Sequence, residues 1–459
     1  MLFNSLIYLL LFLPLTVILF YSVKNKYAKP VLIALSLFFY SWWNPFYITI
    51  FLSSIAINFY SSKLLLEQKS LLRRKVIVTG NIIFNVGLIA YYKYVDFIIY
   101  NFNNVFSTNY ELLGIALPLA ISFFTFQQIA YIVDCYRGKI KSPVILDYLL
   151  FISFFPQLIA GPIVQYTEIV PQLKSKLFAF KIDWDLFLQG LLLLSMGVAK
   201  KVLIADSFSI WANYGFGEGV QLSFLQAWIT SLSYSFQLYF DFSGYTDMAL
   251  GSALLFGIKL PENFNSPYRS LDIQDFWRRW HITLGRFLRD YLYIPLGGNR
   301  RGSWHTLLNL FLVFFIAGLW HGAGWTFVIW GLMHGAALIV HRAWTNFGYK
   351  MNKALAWVTV FLFVNTAWVI FRAQDIKQAL YVLGRMVSPD TYFNASFYVP
   401  LVMIGTGLIT CLCLPNSLEI SKARYATKPY PVVVLSVIAF CGLLTIKIWN
   451  ANEFLYFQF

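Results

Sequence analysis

The chain has 459 residues, 59% of them hydrophobic and only 12% charged. Soluble domains carry roughly 25% charged residues, so a water-facing globular surface is excluded and an all-α polytopic membrane protein is expected. The net charge of +15 does not point to nucleic acid, because Lys and Arg fall in short clusters between apolar runs, the positive-inside pattern.

Residues 2–21 are apolar but lack a basic leader and an A-x-A site, so they read as a retained first span. The run 31–60 is broken by Trp42-Trp43-Asn44-Pro45, which predicts two short spans with interfacial tryptophans between them. Residues 76–100 and 112–136 are the next expected spans. Basic clusters at 24–29, 63–75 and 137–141 are read as cytoplasmic, and the loops 42–45 and 101–111 as external. Both termini then lie outside.

The second half is less regular. PQLIAGPI (residues 156–163) interrupts an apolar run and predicts a re-entrant segment. Residues 186–206 form a span with Lys200 and Lys201 near one end. The run 222–257 is too long for a simple span and carries Asp241 and Asp247, acids expected to be hydrogen-bonded or paired with arginine in a structural role. Short spans flank His321 at 306–319 and 326–340, and runs at 355–371, 399–414 and 432–449 complete the set. The four cysteines, Cys135, Cys411, Cys413 and Cys441, show no metal-ligand spacing and are expected as buried free thiols. No HExxH or similar pattern exists, so no metal site is expected.

Residues 265–321 stand out. They concentrate seven arginines and three of the five histidines in an otherwise apolar chain. Treated as one helix, 272–291 is amphipathic. Phe276, Trp277, Trp280, Leu284, Phe287, Leu288 and Tyr291 share one face; Asp272, Asp275, Arg278, Arg279, Arg286, Arg289 and Asp290 share the other. His281 falls on the border. On this pattern alone a membrane-surface helix with snorkelling arginines is the more economical reading, and a cavity wall the alternative. His321 sits between short apolar spans with Gly318, Gly322 and Gly324 around it. An ionisable residue at such depth is a functional candidate, and imidazole suits general-base work. His334, in Gly331-x-x-x-Gly335, reads as a helix-packing position.

The motifs FPQLIAGPI, DFSGYTDMALG, NSPYRSLDIQDFWRRWHITLGRFLRDYLYIPLGGNR and GLWHGAGWTFVIWG, in this order and spacing, resemble the membrane-bound O-acyltransferase family. The resemblance is strongest over residues 118–341. It is closest to the bacterial branch that O-acetylates alginate or peptidoglycan, with teichoic acid D-alanyl transfer more distant. It implies a single membrane domain over 1–459, a ring of about 11–13 short or tilted helices with re-entrant segments around a central tunnel. It implies that His321 is the catalytic histidine and His281 the second one in the tunnel. Positive charge there suits a phosphate-bearing donor, acetyl-CoA or the phosphopantetheine of an acyl carrier protein, with Arg278, Arg279 and Arg286 as candidate contacts. The donor is a substrate, and no bound cofactor is expected.

The chain ends Phe454-Leu455-Tyr456-Phe457-Gln458-Phe459. Such an ending serves as an aromatic anchor at a membrane interface. Residues 454–459 also resemble a C-terminal motif of exporting family members, which implies Tyr456 as acyl acceptor and relay. The expected function is transfer of an acyl group, acetyl by the closer resemblance, from a cytoplasmic thioester across the bacterial inner membrane. An extracytoplasmic acyltransferase or esterase-like partner would then place it on a surface glycan. A D-alanyl, lipid or protein acyltransferase of the same fold, and a non-catalytic exporter, are the alternatives.

Overall fold

Burying backbone amides in lipid leaves helices as the available solution for this composition. In the computed structural model no strand occurs among the described residues, which are 1–159, 161–174, 181–390, 392, 394–423, 434, 436, 438, 454 and 455. Among these, seven helices are long and apolar enough to cross a membrane: Tyr47–Glu67, Leu71–Phe106, Trp184–Gly215, Ser303–His321, Trp325–Asn346, Lys353–Arg372 and Ala395–Cys413. A shorter apolar helix is Ile7–Ser22. The chain is an all-α polytopic membrane protein. The expected run 432–449 lies almost wholly outside the described residues.

Contacts divide the chain into two compact units. The first comprises Met1–Ser195, Thr246–Pro261 and Arg424–Ser436; the second comprises Met196–Tyr245, Glu262–Ala423 and Val437–Phe459.

In the first unit, helices Asn25–Ser41 and Tyr47–Glu67 flank the break expected at Trp42 to Pro45. The expected span 112–136 is only partly helical, because its helix runs from Ile121 to Tyr136. Gly114 and Ala120 take positive φ, 60° and 59°, and the Asp96 carboxylate accepts the Leu113 and Gly114 amides at 2.7 and 3.0 Å. Those bonds give the backbone an alternative to helix. Helices of this unit are tied by buried amides. Asn58 and Asn85 exchange side-chain hydrogen bonds of 3.2 and 2.8 Å, and Ser54 donates to Gln128 at 2.9 Å. Each such interhelical bond contributes about 0.6 kcal/mol on average. The interruption expected around PQLIAGPI is present. Phe155–Leu158 is a single turn, and Gly161, Pro162, Ile163 and Val164 are non-helical and buried. Protein, not lipid, surrounds that irregular backbone, which is the condition for its survival at depth.

The span expected over 186–206, with Lys200 and Lys201 near one end, runs on to Gly215. A π-helical segment, Lys200–Ala205, joins Trp184–Ala199 to Asp206–Gly215. Lys201 is therefore mid-span and buried. The run 222–257 forms one helix, α1 (Phe224–Leu254), whose residues to Tyr245 belong to the second unit. The single helix expected over 272–291 is broken into α2 (Ile273–Arg279) and α3 (Ile282–Leu288). A hairpin follows, α4 (Ser303–His321) and α5 (Trp325–Asn346), then α6 (Lys353–Arg372). Of the cysteines, Cys135 and Cys411 are buried free thiols as expected, Cys413 is exposed, and Cys441 lies outside the described residues.

The α4–α5 hairpin depends on two glycines. A Cβ on Gly331 would lie 2.3 Å from the Phe314 carbonyl oxygen and 3.0 Å from the Gly318 Cα. Both obstacles are backbone and cannot rotate away. Gly331→Leu should therefore lower the Tm of the detergent-solubilised protein, by the equivalent of about 1–3 kcal/mol or more for overpacking. Gly87→Ala, at a glycine with nothing within 4 Å of its Cβ position, should leave Tm unchanged or raise it. Circular-dichroism melting reads both.

Candidate active site

Asn263 sets the geometry around His281. Its side-chain oxygen accepts the Thr283 backbone N–H at 3.3 Å and the Thr283 hydroxyl at 2.9 Å. Its carbonyl accepts the Ile282 N–H at 3.0 Å, and Asn265 donates to the Arg279 carbonyl at 2.9 Å. These bonds replace the helical ladder where α2 would have run into α3. Trp280 is extended and His281 takes φ 45° and ψ 52°. For a non-glycine residue that left-handed conformation costs about 1–2 kcal/mol, and such strain clusters at functional sites.

His281 is fully buried, and its Nδ1 lies 3.0 Å from Asn263 Oδ1. Because the Thr283 amide can only donate, the shared Asn263 atom is an oxygen, and His281 Nδ1 must be a donor to it. Nε2 then holds the lone pair, and it is buried with no hydrogen-bond partner among the described residues. Burial pushes the pKa of His281 down to about 3. This imidazole is neutral near pH 7 and suited to accepting a hydrogen bond; it is a poor holder of a proton.

His321 closes α4 and is 4% exposed. Its ring meets Trp320, Trp330 and Phe371 at centroid distances of 4.9, 4.8 and 5.3 Å. Trp320 also meets His281, at 6.1 Å. One indole therefore touches both histidines that the sequence singles out. Trp330 stands between His321 and His334, at 4.8 Å from each ring. His334 is buried, but it does more than fill a helix crossing: its Nδ1 accepts the Trp277 indole N–H at 3.2 Å.

Trp277 is also a wall of a cavity of about 760 Å³, lined in addition by Arg278, Arg286, Arg289, His341 and Arg342. Its ring lies 5.8 Å from Trp330, so aromatic contacts lead from the cavity wall to His321. Arg278 and Arg286 thus line the same cavity. Arg279 is not among the lining residues; it donates to Asp275 at 2.9 Å and to the Asn265 carbonyl at 3.3 Å. Arg289 faces the cavity while paired with Asp290 at 2.7 Å.

Asp241 and Asp247 fall in different units, and each is buried. Asp241 is held by a lysine: Lys201 Nζ lies 2.7 Å from Asp241 Oδ1 and 2.8 Å from Asp206 Oδ1. Its other oxygen accepts the Leu455 backbone N–H at 3.0 Å. Phe454 is fully buried, its ring 4.1 Å from Tyr245 and 5.8 Å from Phe242, and Phe242 meets His281 at 4.9 Å. Tyr456, the expected relay, lies outside the described residues.

Sequence reasoning passed over Asn263, Trp320 and Arg342, and placed Lys201 near the end of a span. A lysine within an apolar run is itself a signal for Lys201, and Trp320 precedes His321 in the chain. Nothing in the sequence marks Asn263, because its partners lie eighteen to twenty residues on, across a turn.

The profile of MBOAT, the membrane-bound O-acyltransferase family, matches residues 135–376, more than half of the chain. The chain is similar to the peptidoglycan O-acetyltransferase of Helicobacter pylori, 49% identical with 100% of this chain and 98% of that protein covered. It is similar to the probable alginate O-acetylase AlgI of Pseudomonas aeruginosa, 37% identical with 85% of this chain and 76% of that protein covered. The teichoic acid D-alanyltransferase of Bacillus subtilis is 32% identical over 52% of this chain and 62% of its own length. His281, His321 and the arginine-lined cavity all lie within the matched region, and the chain belongs to the membrane-bound O-acyltransferase family of enzymes.

Proposed function

We propose that this enzyme moves an acetyl group from a cytoplasmic thioester, acetyl-CoA, across the bacterial inner membrane for O-acetylation of an extracytoplasmic glycan, with peptidoglycan the preferred acceptor. The observation that carries the reading is the shared contact of His281 and His321 with Trp320, in an aromatic enclosure whose far wall borders an arginine-lined cavity. Peptidoglycan is favoured over alginate by the full-length similarity to the Helicobacter pylori enzyme. Acetyl is favoured over D-alanyl because the similarity to the D-alanyltransferase spans only half of the chain.

The chemistry follows from the groups present. Arg278, Arg286 and Arg342 present guanidinium forks to the donor's phosphates. His281 Nε2 accepts a hydrogen bond from the pantetheine arm and orients the thioester. His321 takes the proton of an acceptor hydroxyl as its oxygen attacks the acyl carbon. The C–S bond breaks, and the thiolate leaves with the proton returned by the His321 imidazolium. The first acceptor is the phenol of Tyr456, with a pKa of about 10 and so in need of a base. It carries the acetyl group to the outer side, where an esterase-like partner transfers it to sugar hydroxyls. Support for this relay comes from its neighbours, since Phe454 packs on Phe242, which contacts His281, and the Leu455 amide donates to the adjoining Asp241. In this reading the basic clusters are cytoplasmic and both termini lie outside.

His321→Ala should reduce glycan acetylation by about 100-fold or more, the range of a lost general base, at normal protein level. Muropeptide mass spectrometry in a complemented deletion strain reads it, and retained acetylation would sink the assignment. Tyr456→Phe should abolish transfer of radiolabelled acetyl to the protein and to the glycan; full activity would return the C-terminus to the role of an anchor. Combined Arg278→Ala and Arg286→Ala should raise KM for acetyl-CoA by about tenfold or more, as expected for lost charge-assisted hydrogen bonds, with a smaller change in kcat. An unchanged KM would move the donor away from this cavity.

A further inference from the structure

We propose that the buried Lys201–Asp241 pair is a dock for this chain's own C-terminal segment, holding Phe454 and Leu455 one side chain away from His281. The role given to the docked segment, delivery of an acceptor, rests on the relay reading above; the dock itself does not.

A lysine and two carboxylates packed among apolar helices of a membrane protein are costly, and hydrophobic replacement of a buried ion pair is often neutral or stabilising. Stability is therefore a weak account of Lys201, Asp206 and Asp241. Their geometry offers a better one. Lys201 engages Oδ1 of Asp241 at 2.7 Å, while Oδ2 accepts the Leu455 backbone N–H at 3.0 Å. The ammonium thus orients a carboxylate whose second oxygen serves a main-chain donor some two hundred residues away, and a hydrogen bond to a charged acceptor is among the stronger kinds.

The side-chain contacts repeat the message. Asp241, Phe242 and Tyr245 lie on α1 at spacings that bring residues four apart onto one face. Phe454 packs on Tyr245 at 4.1 Å and on Phe242 at 5.8 Å, with no exposed surface. Leu455 is 4% exposed. An interfacial anchor would keep its aromatic side chain at the headgroup level with its backbone free. Here the ring and the following amide are both captured by protein. Phe242 touches the docked ring on one side and His281 on the other, at 4.9 Å, so a single phenyl group separates the segment from the buried histidine. The residue that follows Leu455 in the sequence is Tyr456. Lys201, Asp241 and Phe242 are positioning residues in this account.

Hydrogen–deuterium exchange by mass spectrometry on the full-length protein in nanodiscs tests the dock. The peptide carrying residues 454–459 should be protected in the wild type. Asp241→Ala should speed exchange of its slowest amide by about tenfold or more, as expected when a local opening loses a charge-assisted hydrogen bond, with exchange in α4 and α5 unchanged. Phe454→Ala, which leaves the buried charges intact, should do the same and covers the case in which Asp241→Ala does not fold. Tyr456→Phe should leave the protection in place. Unaltered C-terminal exchange in Phe454→Ala overturns the dock. Faster exchange with glycan acetylation retained upholds the dock and overturns the relay, so the two ideas fail separately. Faster exchange with kcat lowered and KM for acetyl-CoA retained supports both.

Discussion

One side-chain oxygen decides the local architecture on which the site depends. Asn263 Oδ1 gathers the Thr283 amide, the Thr283 hydroxyl and the His281 ring nitrogen. By doing so it stops an amphipathic segment from continuing as a helix and turns His281 inward in a left-handed conformation. It also selects the tautomer, leaving the lone pair on Nε2. Had the segment stayed one helix, His281 would have remained on the boundary between an apolar and a charged face. The backbone break converts a border residue into a fully buried one, at a conformational cost smaller than the gain from the hydrogen bonds it permits.

Much of this was legible in the chain. Apolar runs, interfacial tryptophans and proline breaks forecast most of the helices, because in lipid the backbone has few alternatives. The buried face of 272–291 was also forecast: Phe276, Trp280, Leu284, Phe287 and Leu288 are all buried. The continuity of that helix was not, since the amphipathic pattern persists on both sides of His281 and the interruption comes from Asn263, a residue outside the segment. The start of the helix ending at Tyr136 was missed for a similar reason, since Asp96 stabilises a loop that hydropathy alone would leave helical. Lys201 shows a third limit. A basic residue near the end of an apolar run ordinarily marks an interface, and only the arrival of Asp206 and Asp241 in space makes it an interior residue.

The two histidines have separate environments. His281 sits on a polar hub that fixes its protons; His321 sits among rings at the end of a glycine-paired hairpin. The close approach of Gly318 and Gly331 brings α4 and α5 together so that Trp330 can reach His321 on one side and His334 on the other. Packing between two helices and hydrogen bonding within a loop thereby converge on one tryptophan, Trp320, that contacts both imidazoles.

The aromatic enclosure of His321 also bears on what the enzyme must avoid. A thioester is hydrolysed wherever a base can activate bulk water beside it, and a general base does not discriminate between water and an alcohol. His321 has 4% of its surface accessible and three aromatic rings around it, so as the base of the proposed reaction it would meet a nucleophile only when that nucleophile is delivered. In the proposed reaction, the partition between productive transfer and wasteful hydrolysis is set by packing, before any bond is made.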